Sequence, residues 1–389
     1  MKTADQPGNK AEAGREAADR FDQIENVAAK MAIVEHAVNV HGGSLKRRHL
    51  NLMMVSPGYR ARRSGAGRYE LHKQPCVVLT VERKWKPDEV TDLSRHLPER
   101  LEVSISVGNR VVQYMVPTDV QPQEWTGNLR TQSSNGITVE TSPPCSGAIT
   151  CGVELGTSAG PMWLALSALH VLTPAPCLDA IPKGSIGIEL SGAGAAVGQS
   201  TPYAGCLRWD APSFDAQLAT ISPARLNSMF ADLRLDFFQI AHSRADINFL
   251  ASVSQFYVHT STNRLNGPIP DQGDICGQFC FFADDSLKLV YTVTDDQGTK
   301  IPAYITHPDL IVIAAGDGKP VTQEGDSGSP VFASYNNQTF LVGMLIAGPQ
   351  TGNSGDRMVV LPSWVLFNPA NWSSLPPKTK SIRPTFHMP

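Results

Sequence analysis

The chain has 389 residues, enough for two domains and a sizeable core, and its formal net charge of −3 gives no global electrostatic case for a nucleic-acid partner. No run approaches the roughly 18–20 apolar residues that a membrane-spanning helix needs, so no membrane partner is expected. The start, Met1 to Lys10, is polar and lacks the apolar core of a signal peptide, which predicts a cytoplasmic protein.

Residues 10 to about 40 read as one long amphipathic helix. Phe21, Ile24, Ala28, Met31, Val34 and Val38 recur at three- and four-residue steps, and Gly42-Gly43 ends the pattern. That stripe packs on its own domain or serves a partner or a second copy. A basic stretch follows, with Lys46, Arg47, Arg48, Arg60, Arg62, Arg63, Arg68 and Lys73 against the single acid Glu70. Such a cluster can attract phosphates, but a solvated loop is the expected reading. Strand-like runs at Cys76–Val81, Leu101–Val107 and Val111–Val116 flank a helix start at Lys86-Pro87-Asp88-Glu89-Val90. Residues 1–120 therefore form a small α+β accessory domain.

Residues 121–144, rich in Gly, Ser, Thr, Asn and Pro, read as a linker. From Cys145 to residue 372 short apolar runs alternate with Gly, Pro and Asp turns, the pattern of an all-β sandwich or barrel. A helical insertion is expected around Pro223 to Leu235. The tail, residues 373–389, has four prolines beyond Leu375 and is expected to be flexible.

The most telling run is Gly325-Asp326-Ser327-Gly328-Ser329-Pro330. A serine hydroxyl is a poor nucleophile without a base to take its proton. It also needs N–H donors for the oxyanion that forms when it attacks a carbonyl. Gly325 offers such an N–H with no Cβ in the way, the N–H of Ser327 is the second, and Gly328 permits backbone angles that other residues resist. Two partners precede it. His170 closes the apolar run Leu166-Ser167-Ala168-Leu169, and Asp215 opens another in Ser213-Phe214-Asp215-Ala216-Gln217-Leu218. The spacings are 45 and 112 residues (215 − 170 and 327 − 215).

The run around Ser327, with Ser329 in place of the usual glycine, resembles the nucleophile motif of chymotrypsin-like serine proteases, and the order His, Asp, Ser matches that family. The α/β-hydrolase elbow Gly-x-Ser-x-Gly does not fit, because Ser329 stands two past Ser327. Nor does an acid-first, subtilisin-like order. The resemblance implies an all-β double β-barrel over residues 145–372, preceded by the α+β domain with its helix, a layout similar to that before trypsin-like domains in some bacterial proteins. It implies a Ser327, His170, Asp215 triad acting on a protein or peptide substrate. Asp179 follows His170 too closely to return from another hairpin, and Asp210 with Pro212 suits a turn, so Asp215 is preferred.

It implies further that Val321 and Thr322 lie at the base of the substrate pocket, with no charge to hold a basic side chain, and that Gly348 leaves the mouth open. A small or medium uncharged residue before the cut is expected. In the strand Phe340–Gly348, Ile346 and Ala347 replace a serine and an aromatic. Asp326 pairs in secreted relatives with a cleavage-released amine, but no Ile-Val-Gly-Gly-like start occurs near residue 145. The seven cysteines (Cys76, Cys145, Cys151, Cys177, Cys206, Cys276, Cys280) lack the family's cysteine after the histidine, since Val171 stands there. They read as free thiols. Cys276 and Cys280 lack the His or Cys companions of a zinc site, so no metal and no cofactor is expected. The alternatives are a protease-shaped scaffold with little activity, or an adaptor using the basic stretch.

Overall fold

A computed structural model describes residues 7–49, 51–63, 69–81, 96–108, 110–122, 137–139, 145–190, 196–209, 211–230, 238–259, 275–283, 287–295, 297–315, 326–348 and 357–389. The chain divides into two compact units, Met1–Glu124 with Cys280–Phe282, and Trp125–Phe279 with Ala283–Pro389. The expected helix start at Lys86–Val90 and most of the 121–144 linker lie outside the described residues, as do Gly325, Val321 and Thr322.

The first unit holds α1 (Pro7–Asp22), α2 (Val27–Arg48), β1 (Leu52–Arg63), β2 (Tyr69–Val81), β3 (Arg100–Val107) and β4 (Arg110–Pro122). The single long helix expected from periodicity is in fact two. Asn26 interrupts it, because its side chain accepts the Ala29 N–H at 3.0 Å and caps α2. Gly42 and Gly43 do not end α2. A Cβ on Gly42 would lie 3.7 Å from Val55, so the glycine sits in packed contact with β1, and the helix runs on to a basic last turn of Lys46, Arg47 and Arg48. Of the basic stretch expected to be a loop, Arg60, Arg62 and Arg63 belong to β1 and Lys73 to β2, while Arg68 lies outside the described residues. Strand order is β1-β2-β4-β3, with β2 and β4 parallel. Met31, Val34 and Ala37 of α2 are buried, as are Val77, Val78 and Leu79 of β2.

The second unit begins with β5 (Ile137–Val139), β6 (Cys145–Gly147), β7 (Cys151–Thr157), β8 (Gly160–Ser167), α3 (Leu169–Leu172), β9 (Gly187–Leu190), β10 (Ala196–Ala204), β11 (Gln217–Ile221) and α4 (Pro223–Met229). It continues with β12 (Phe238–Ile240), α5 (Arg244–Val253), β13 (Phe256–Val258), β14 (Ile275–Ala283), β15 (Lys288–Thr294), β16 (Lys300–Thr306), β17 (Leu310–Ala315), β18 (Pro330–Tyr335), β19 (Gln338–Ala347), β20 (Arg357–Pro362), α6 (Ser363–Leu366) and β21 (Ser381–Thr385).

Six strands close a barrel in the order β13-β18-β19-β20-β17-β14, with β14 returning to β13. Every residue of β20 is buried, which suits a strand covered on both faces. The other set is an eight-stranded antiparallel sheet, β21-β7-β8-β11-β10-β9-β5-β6. Its outer strands, β21 and β6, are not paired to each other among the described residues, so closure is shown for the six-stranded barrel alone.

The expected flexible tail is instead built in. β21 pairs with β7 from Ser381↔Gly156 to Thr385↔Gly152, and Phe386 and Met388 are buried. Prolines are compatible with this because β21 is an edge strand. Cys76, Cys151, Cys177, Cys206 and Cys280 are free thiols. No helix among the described residues is long and apolar enough to cross a membrane.

Candidate active site

One strand pair brings His170 and Asp215 together. β8 and β11 run antiparallel with Ser167 opposite Gln217 and Leu166 opposite Leu218. His170 lies just beyond the end of β8 and Asp215 just before the start of β11, so both emerge from the same end of the pair. The single turn of α3 then folds His170 inward, with the N–H groups of Val171 and Leu172 on the Ala168 carbonyl. Asp215 sits on a short connection tied back by Phe214 N–H to the Cys206 carbonyl at 3.0 Å and by Gly205 N–H to the Ala216 carbonyl at 2.8 Å.

The pair is dry and closely coupled. Asp215 is fully buried and His170 is 8 % exposed. Nδ1–H of His170 donates to Asp215 Oδ2 at 2.7 Å, and the His170 backbone N–H donates to Oδ1 at 3.1 Å. Burial alone pushes the Asp215 carboxyl up. The adjacent His170, by charge and by hydrogen bonding, and then His307 outweigh that and hold it below the ordinary carboxylate value. An ionised, doubly anchored carboxylate fixes the His170 tautomer with its proton on Nδ1 and leaves Nε2 as the working nitrogen. That Nε2 is buried and makes no hydrogen bond among the described residues.

Ser327 stands on a tight turn just before β18. Ser329 N–H closes the turn on the Asp326 carbonyl at 3.0 Å, and Gly328 adopts φ +89°, open to glycine and costly for other residues. Two flanking segments clamp the turn. On one side Gly328 N–H donates to the Leu345 carbonyl at 2.8 Å and Leu345 N–H donates to the Ser329 carbonyl at 2.9 Å. On the other, Ala148 N–H donates to the Ser327 carbonyl at 2.8 Å and the Thr150 hydroxyl to the Gly328 carbonyl at 2.7 Å.

Residues 148–150 also hold the histidine side. Thr150 N–H donates to the Leu166 carbonyl at 2.7 Å, and the Ser167 hydroxyl donates to the Ala148 carbonyl at 2.6 Å. The serine turn is therefore tied, through three residues, to the strand end that carries His170. Ser327 is 4 % exposed and Asp326 is buried beside it. The Ser327 hydroxyl and His170 Nε2 are not hydrogen-bonded to each other, and the Ser327 N–H has no hydrogen bond to a described residue. Such contacts are often long before substrate binds.

Of the three sequence candidates, the structure joins His170 and Asp215 directly and ties the turn that carries Ser327 to their strand end through residues 148–150. Asp179, the rejected acid, is exposed in a turn at φ +53° with its N–H on the Leu207 carbonyl. Gly348 directly follows β19. Two further residues that the sequence did not flag connect to Asp215, one directly and one behind it. The Tyr291 hydroxyl donates to Oδ2 at 3.0 Å, and His307 Nε2 lies 2.9 Å from the same hydroxyl. Their signal in the sequence is only that of a hairpin. Among the described residues no cluster of three or more His, Cys, Asp or Glu side chains is arranged to hold a metal ion. Compared with models of known protein families and with curated proteins, the sequence finds no match.

Proposed function

We propose that the chain is a serine endopeptidase on a chymotrypsin-like double barrel, with Ser327 as nucleophile, His170 as base and Asp215 as the group that orients it. The observation that carries this reading is the buried His170–Asp215 pair tied, through residues 148–150, to the Ser327 turn. In this mechanism Ser327 Oγ bonds to the peptide carbonyl carbon while its proton passes to His170 Nε2. The tetrahedral intermediate then collapses, the C–N bond breaks, and the proton goes from Nε2 to the leaving amine. Water, deprotonated by the same nitrogen, attacks the acyl-enzyme and releases Ser327.

The N–H of Ser327 is one oxyanion donor and Gly325 the second candidate. With Val321 and Thr322 uncharged, and Gly348 at the pocket mouth, the substrate residue before the cut is small to medium and uncharged. A fluorophosphonate probe tests the reading directly. Labelling of wild type that disappears in Ser327→Ala and falls sharply in His170→Ala supports it. If wild type stays unlabelled, the missing Ser327–His170 hydrogen bond favours a protease-shaped scaffold instead.

A further inference from the structure

We propose that Tyr291 and His307 are positioning residues for the same acid, completing a four-member chain His307–Tyr291–Asp215–His170 that holds the carboxylate still while His170 gains and loses its proton. The proposal rests on the hydrolase reading given above.

The proton count sets the direction of the chain. Asp215 is ionised and only accepts, so the single hydroxyl proton of Tyr291 goes to Oδ2 at 3.0 Å. With its proton so used, the Tyr291 oxygen is an acceptor 2.9 Å from His307 Nε2, and the chain of bonds is complete in the tautomer that carries the His307 proton on Nε2. Burial drives the His307 imidazole down to about 4, against the pull of Asp215 and the Ser213 backbone and with the help of His170, so it stays neutral near pH 7. Burial and the Asp215 carboxylate together push the Tyr291 hydroxyl well above its ordinary value, so it keeps its proton. The titratable groups that face Asp215 are His170 from α3, Tyr291 from β15 and His307 from the segment after β16.

Geometry gives the reason for the hairpin. Among the described residues β15 and β16 form a two-stranded sheet of their own, with a single bridge from Thr294 to Cys177 beyond it, and an isolated two-stranded hairpin is marginal in water. This one is pinned to the two segments that flank the His170–Asp215 pair. Thr294 N–H and hydroxyl donate to the Pro176 and Ala175 carbonyls at 3.1 and 2.7 Å, just after α3. Thr306 accepts the Ser213 N–H at 2.8 Å, two residues before Asp215. Tyr291 is 2 % exposed and His307 fully buried, so neither side chain has water as a substitute partner. The Tyr291 ring also meets His170 edge-on, with centroids 5.7 Å apart. With Tyr291 in place both carboxylate oxygens stay anchored even if the His170 ring moves; without it Oδ2 depends on that ring alone.

The test uses the full chain carrying Tyr291→Phe, His307→Gln, or Tyr291→Phe with His307→Phe. The double variant removes the stranded His307 donor in case the single one does not fold. Rates are counted per fluorophosphonate-labelled site. Expected for loss of Tyr291 is a fall in kcat of about tenfold, the size of one charge-assisted hydrogen bond, with KM within about twofold. The acid limb of the rate profile should also move to higher pH. His307→Gln keeps a donor for the Tyr291 oxygen but not the imidazole's fit, so its kcat should fall by less than that of Tyr291→Phe, about two- to threefold. Unchanged kcat and profile per labelled site would overturn the proposal. If wild type takes no probe, the hydrolase reading fails separately, and the proton resonance of His170 Nδ1–H decides: a shift in the Tyr291→Phe protein upholds the chain of bonds, and an unmoved resonance refutes it.

Discussion

Replacing Gly328 by alanine probes the point where the serine turn, residues 148–150 and the end of β8 converge. At φ +89° an L-residue costs roughly 1–2 kcal/mol in backbone energy. Its Cβ would overlap the Ala148 carbonyl oxygen and stand 2.6 Å from the Ser167 hydroxyl. Those two atoms are hydrogen-bonded to each other at 2.6 Å, so neither can retreat without breaking that bond. Overpacking of this kind costs about 1–3 kcal/mol. The stiffer unfolded chain returns about 0.4–1 kcal/mol. The net expectation is a loss of about 2–4 kcal/mol. Gly298→Ala is the control, because Gly298 has φ +79° and nothing within 4 Å of an added Cβ. It should lose only about 1 kcal/mol or less, and the difference between the two isolates the steric part. Urea unfolding with a common m-value measures both. The labelling rate of Ser327 should fall in Gly328→Ala alone. Equal losses for the two variants, within about 0.5 kcal/mol, would refute the three-way contact.

Acid should weaken the fold through His307. Its folded value is depressed to about 4 from an ordinary 6.5, so stability is full above pH 6.5 and is lost as pH falls toward 4, where the unfolded chain binds the proton that the folded one refuses. At about 1.4 kcal/mol per pH unit the loss reaches about 3 kcal/mol, and urea melts at pH 7 and 4.5 should show a flatter dependence in His307→Gln; an unaltered slope would place the linkage elsewhere. Asp215, also depressed, adds loss of the same sign as pH falls through its own folded value. Asp215→Asn should keep the fold at pH 7 but slow probe labelling on the order of 10³-fold, read from the time course, because the amide no longer dictates the His170 tautomer. Phe386→Ala should cost about 3 kcal/mol in thermal or urea unfolding, since its ring meets Phe230, Phe238 and Phe332 with centroids 5.1, 4.9 and 5.6 Å apart, and should leave labelling per folded molecule intact.

The difference between what the residues announced and what only the fold reveals is one of range. The Ser327 run was legible because its demands are local: a positive φ at Gly328 and a small residue at a tight turn are written in consecutive positions. His170 and Asp215 could be picked out as apolar-run neighbours, yet what joins them is the β8–β11 register, in which Ser167 opposite Gln217 places both at one strand end. Asn26 caps α2 inside an apolar stripe that runs through it unbroken, and periodicity alone does not mark such a break. The tail misled for a related reason: prolines argue against a central strand, but β21 lies at a sheet edge, where a missing N–H costs little.

Tyr291 and His307 carry no such local mark. A tyrosine inside an apolar strand is ordinarily a core residue, and the turn beyond it, where Asp295 Oδ1 accepts from the N–H groups of Gln297 and Thr299, marks a hairpin and nothing more. Their meaning arises only when the hairpin docks across residues 175–176 and 213 and delivers a hydroxyl to a carboxylate 76 positions earlier in the chain. A buried acid needs its lone pairs filled, and the nearest sequence neighbours of Asp215 that could do so, Ser213 and Gln217, are engaged elsewhere: the Ser213 hydroxyl with Arg208, and the Gln217 side chain with Thr173 and the Thr201 carbonyl. The donor had to come from a distant segment. That is why the hairpin, which among the described residues pairs with neither larger sheet, places its tyrosine against the acid.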